Sequence, residues 1–137
     1  MGRVIAIDYG RKRTGLAVTD SLKLIAGGLT TVLSHELLKY LTDYTKKETV
    51  ERFVVGLPKQ MNNELSESMK YIEPFVRLLK KTLPDIPVEY VDERFTSVLA
   101  HQTMLEGGLK KKDRQNKALV DEISAVIILQ SYLESKR

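Results

Sequence analysis

Residues 3–19 read RVIAIDYGRKRTGLAVT, and the fold depends on how this stretch divides. Five residues suited to the interior of a strand run into a carboxylate, Asp8. A glycine-bounded loop carries Arg11, Lys12 and Arg13, and a second apolar strand follows over Leu16–Thr19. Period-two alternation puts Val4, Ala6 and Asp8 on one side of the first strand and Ile5, Ile7 and Tyr9 on the other. Both sides are largely apolar, as in a central strand covered on both faces. Gly10 and Gly15 bracket the connection, which predicts an antiparallel hairpin. An aspartate at the end of such a strand needs a cationic partner, because charges are almost never buried alone.

The whole chain sets the frame for that oddity. Its 137 residues, 42% hydrophobic and 29% charged, predict one globular domain over 1–137 with a conventional core. With no cysteine, neither a disulfide framework nor a cysteine zinc site is available. No apolar run approaches the roughly 20 residues that span a bilayer, and no signal-peptide pattern opens the chain. A soluble, cytoplasmic protein with no membrane partner is expected. The net charge of +4 is mild, so its distribution matters more than its size.

Downstream, Gly27-Gly28 reads as a turn and Leu29–Leu33 as a third strand. Ser34 has the chemistry of a helix N-cap, with Leu37, Leu38 and Leu41 as the apolar stripe of a helix to about Lys47. Arg52–Gly56 is a short strand. A polar loop, KQMNNE, leads into a helix over roughly Leu65–Leu83, in which Pro74 predicts a kink or break. Val88–Val91 is a strand ending in Asp92-Glu93-Arg94. Thr96 or Ser97 can cap a helix stopped by Gly107-Gly108. Residues 110–117 form a basic polar loop, and a last helix runs from about Ala118 to Leu133. This order is an α/β domain with a mixed sheet.

Acids stand at three unusual places: Asp8, the pair Asp92/Glu93, and the pair Asp121/Glu122 opening the last helix. Each has an ordinary structural explanation. Asp8 can pair with Arg11 or Arg13 or take turn amides, Asp92/Glu93 can pair with Arg94, and acids near a helix N-terminus are favoured by its dipole. Their coincidence points elsewhere. Carboxylates without histidine or cysteine suit a hard cation such as Mg²⁺ or Mn²⁺, and two such ions serve phosphodiester cleavage. Arg11-Lys12-Arg13 and Lys110-Lys111-Lys112 would rim the same cleft and attract a polyanion. No aromatic-rich strip in the sequence signals base stacking. His35 and His101 are isolated.

Four ordered stretches, IDYGRKRTGLAVTD, VVGLPKQMN, VDERFTS and VDEISAVIIL, resemble the YqgF/RuvX family over nearly the whole chain. These small bacterial proteins have a ribonuclease H-like fold and are described as nucleases of pre-16S rRNA and as Holliday junction resolvases. The resemblance implies a five-stranded mixed sheet, a three-strand antiparallel meander plus two parallel strands, flanked by helices. It implies a divalent-metal site of Asp8, Glu93 and Asp121, with Mg²⁺ or Mn²⁺. Gly10 and Gly15 match the family's first turn, Gly56-Leu57-Pro58 its strand-end loop, and Arg94 and Thr96 the remainder of the DER motif. Ser124 departs from a more usual alanine pair. Glu122 leaves the third ligand open between itself and Asp121, and Asp92 leaves the second shared.

The leading expectation is therefore a hydrolase: a metal-dependent nuclease on structured nucleic acid, with Arg11, Lys12, Arg13, Arg94, Lys110, Lys111 and Lys112 as nucleic-acid-binding residues. The resemblance favours the 5′ end of pre-16S rRNA and the assembling small ribosomal subunit, with branched DNA as the alternative. Two other classes stand beside it. One is a non-catalytic nucleic-acid-binding protein. The other is a nucleotide switch, since Asp8 to Gly15 also resembles the phosphate loop of actin-like ATPases; those need two lobes, and this chain supplies one. The sequence does not fix oligomeric state.

Overall fold

The computed structural model describes residues 2–20, 26–57, 69–92 and 117–135. Alternate residues of β1 (Arg3–Asp8) go to opposite sides of a sheet. Ile5 and Ile7 are buried with Leu16, Phe53 and Val55 on one side, and Val4 and Ala6 with Ala17 and Val54 on the other. Two apolar faces require a central position, and the strand order is β3-β2-β1-β4-β5. β2 (Arg13–Thr19) is antiparallel to β1, and β3 (Ala26–Leu33) is antiparallel to β2. β4 (Val50–Leu57) is parallel to β1, and β5 (Val88–Asp92) is parallel to β4. The expected meander plus two parallel strands is what forms.

Parallel neighbours need a crossover, and a helix lies within each. α1 (Leu37–Lys47) lies between β3 and β4, and α2 (Met69–Thr82) between β4 and β5. Both cover the first face, through Leu37 and Leu41 of α1 and Ile72, Phe75, Val76 and Leu79 of α2. The opposite face belongs to α3 (Lys117–Ser135), which contributes Ala125, Ile128, Leu129, Tyr132 and Leu133.

Local signals misread four places. Gly15 does not bound the hairpin loop; it lies inside β2, opposite Asp8. Gly27 and Gly28 are not a turn but strand residues of β3, paired with Val18 and Ala17. Ser34 does not cap α1: it starts a single 3-10 turn, Ser34–Glu36, before it, and its hydroxyl bonds elsewhere. α2 runs through Pro74 without a break. The proline lies on the exposed side of the helix, where water can serve the carbonyl that loses its N–H donor. The helix predicted after Thr96, the basic run 110–112 and the KQMNNE loop lie outside the described residues. Among the described residues no helix is long and apolar enough to cross a membrane.

Candidate active site at the carboxyl edge of the sheet

Because β1, β4 and β5 run the same way, their last residues, Asp8, Leu57 and Asp92, share one edge of the sheet. In open α/β sheets this carboxyl edge is where ligands bind. Ile7 lies beside Val55, so the next step of the register puts Gly56 beside half-buried Asp8. On its other side Asp8 faces Gly15. Neither neighbour has a side chain, so the sheet is bare on both flanks of the carboxylate. Asp8 shares its strand face with Val4 and Ala6, the face that α3 covers.

The two ends of α3 show how it crosses that face. Near its C-terminus, Tyr132 donates a hydrogen bond to Glu89, which pairs with Arg52 at 2.8 Å; both lie near the amino ends of β4 and β5. Near its N-terminus, the Glu122 carboxyl occupies the space that a Cβ on Gly28 would fill. Helical spacing puts Asp121 four residues before Ala125 and seven before Ile128, so its position shares their sheet-facing stripe. Glu122 is directed to β3 instead. Gly28 pairs with Ala17 and Ala17 with Ala6, two strand spacings or about 10 Å from β1.

Of Asp121 and Asp92 the structure describes the backbone. Glu93, Arg94, Lys110, Lys111 and Lys112 lie outside the described residues. Among the described residues no group of three metal-ligating side chains comes together.

The basic loop is held at four successive residues. The Tyr9 ring stacks on Phe75 of α2, with centroids 5.0 Å apart and planes 21° from parallel; burial pushes the Tyr9 hydroxyl pKa above its ordinary value. The Gly10 carbonyl accepts a hydrogen bond from Ser34 Oγ. Arg11 lies over the Tyr71 ring, 5.0 Å from its centroid. The Lys12 carbonyl accepts the Ser34 amide at 2.9 Å. Ser34 spends its one hydroxyl proton on Gly10, so buried Thr14 must be the donor in the 2.8 Å contact between their hydroxyls. A Cβ at Gly10 would collide with the Arg13 carbonyl, which explains glycine there. Arg11 and Lys12 are exposed and Arg13 is half-buried at the start of β2.

Thr14, Ser34, Tyr71 and Phe75 organise this loop, and sequence reasoning did not find their roles. None left a local signal for this role: the predicted strand begins at Leu16, after Thr14, and Ser34 reads as a helix N-cap.

A family model described as "RuvX: Holliday junction resolvase" matches residues 2–135. The chain belongs to the RuvX family. This RuvX chain is 77% identical over 137 residues to a Bacteroides fragilis protein named "Putative pre-16S rRNA nuclease", covering 100% of this chain and 99% of that one. A Porphyromonas gingivalis protein of the same name is 65% identical over 135 residues, 98% of each chain. Among solved structures, Thermus thermophilus RuvC in complex with a Holliday junction substrate is similar over 98% of this chain and 96% of its own, with TM-score 0.59 and 18% identity. That likeness concerns the fold, and the ribonuclease H-like architecture expected for a RuvX protein is the one observed.

Proposed function

We propose that this RuvX chain is a nuclease that uses Mg²⁺ or Mn²⁺ to cleave structured nucleic acid, and that its substrate is the 5′ end of pre-16S rRNA on the assembling small ribosomal subunit in the cytoplasm. The observation that carries the reading is Asp8: a carboxylate at the sheet's carboxyl edge, flanked by Gly15 and Gly56, on the strand face that α3 covers. Asp8, Glu93 and Asp121 would hold the metal. The fit is chemical: oxygen donors alone suit a hard divalent ion, and Gly15 and Gly56 set no side chain against Asp8 on either neighbouring strand. When bound, such an ion lowers the pKa of water and offsets charge on the leaving oxygen.

The chain's own residues do the rest. Asp8 contributes fixed negative charge from a rigid strand. Arg11, Lys12 and Arg13 hold the phosphate backbone, with Arg94 and Lys110–Lys112 as further contacts. Phosphate contacts position a substrate without naming it. The pre-16S name of the relatives supports RNA, while the family description favours branched DNA as the second reading.

The test is cleavage of a labelled pre-16S 5′ end and of a four-way DNA junction, with each metal, by wild type and Asp8→Asn. The variant keeps the volume and loses the charge. Its rate should fall by more than the 10- to 100-fold, roughly, of a residue that only orients a ligand. Wild type and variant equally inert on both substrates, while still binding them, would replace the nuclease with a non-catalytic binding protein.

A further inference from the structure

Tyr71 is the aromatic of α2 that the fold does not need. The buried stripe of that helix is Ile72, Phe75, Val76 and Leu79, and Tyr71 stands off it with 43% of its surface exposed. Phe75, one turn on, is buried and stacked against Tyr9. A charged residue at position 71 would serve the helix as well. Instead an aromatic ring stands beside the loop that follows Asp8, with the Arg11 guanidinium over it.

Resting on the nuclease reading above, we propose that Arg11 and Tyr71 form a stacking platform for an unpaired nucleobase, so that the substrate class is nucleic acid with single-stranded nucleotides beside the scissile phosphate. The guanidinium is planar and weakly hydrated, and it stacks on aromatic faces. The guanidinium carbon lies over the ring and Arg11 is exposed, so a base stacking on its outer side makes a three-layer stack. Paired bases hide their faces inside the duplex; unpaired ones offer them, and stacking is worth roughly 1–3 kcal/mol per base. A contact to phosphate alone would need only a cation, and exposed Lys12 already supplies one.

The anchoring of the loop points the same way. Tyr9, Gly10, Arg11 and Lys12 are each tied to α2 or to Ser34. A solvated surface loop has no use for four ties. A binding surface does, because ordering that is complete before binding is not charged against affinity.

The experiment is fluorescence anisotropy with the full chain in EDTA, so that nothing is cut. The probes are an RNA single strand of roughly 12 nucleotides and a blunt duplex of the same length, at one fixed salt concentration. Tyr71→Leu removes the ring face, and Arg11→Lys keeps the charge while removing the plane. Tyr71→Leu should weaken single-strand binding about tenfold and leave duplex binding within about twofold, and Arg11→Lys should cost the single strand about tenfold more than it costs the duplex. Tyr71→Phe should match wild type on both probes. Arg11 is exposed, so its substitution leaves folding intact even if Tyr71→Leu does not fold.

Equal losses on both probes, or no loss on the single strand, would overturn the platform and leave the nuclease proposal standing. A wild type that binds neither probe would overturn the platform, and the nuclease proposal would then stand or fall on the cleavage assay with metal.

Discussion

The two faces of the sheet are built from different materials. Toward α1 and α2 the strands present Ile5, Ile7, Leu16, Phe53 and Val55. Toward α3 they present Val4, Ala6, Ala17 and Val54, met by Ala125. Large branched and aromatic side chains bury the more apolar area and stabilise the fold accordingly. Alanines bury little and let backbones approach closely. The first face supplies stability; the second supplies proximity, and Asp8 lies on the second. Small residues there let α3 come down on the sheet close to Asp8 at its edge.

The largest stability effect is expected from Phe53→Ala, which empties the first face. It should cost about 3–5 kcal/mol in urea unfolding, while the molecules that remain folded cleave at close to the wild-type rate. Ala6→Leu is the converse. Overpacking should cost about 1–3 kcal/mol, yet cleavage per folded molecule should fall about 100-fold, the effect of roughly 1 Å of misplacement. If both variants lose cleavage equally after correction for folded fraction, the faces do not divide the work this way.

Gly28→Ala sharpens the contrast at a single contact. The new Cβ would meet the Glu122 carboxyl group, and the end of that side chain can move, so the loss should be smaller than for Ala6→Leu. In a double-mutant cycle with Glu122→Ala, a coupling of about 0.5–3 kcal/mol is expected. No coupling would mean that Glu122 does not seat α3 on β3.

The smallest effect is alkaline. Burial raises the pKa of Tyr9, Tyr40 and Tyr44, which pack at the first face, above the ordinary 10.0. The fold therefore favours their neutral forms. That stability is whole below pH 10 and is lost as pH rises through the folded values. Thermal melts of Tyr9→Phe should lose less on going from about pH 9 to 11 than wild type does; identical slopes would place the alkaline loss elsewhere.

How much of this was legible depended on where each residue's partner lay. β1 was readable because alternation is local and both its faces are apolar, and Asp8 stood out against them. The glycines misled because a turn and a close approach leave the same letter. Gly15 makes the sheet bare beside Asp8, and Gly28 makes room for Glu122, 94 positions away; both look like loop residues in a short window. Ser34 had the right chemistry for a cap, but its hydroxyl goes back to Gly10. Tyr71 was invisible as a neighbour of Arg11, because only the α2 crossover brings them together. Glu93, Arg94 and the 110–112 lysines were legible as motif and charge, and stay proposals.

The Ser34 amide has a further use. It donates to the Lys12 carbonyl across the start of the candidate site, so its proton exchanges with solvent only when the loop lets go. Followed by hydrogen–deuterium exchange, that one proton is a clock for the site. Its protection factor reads the equilibrium between attached and detached loop directly, in resting protein, before any substrate or metal is added.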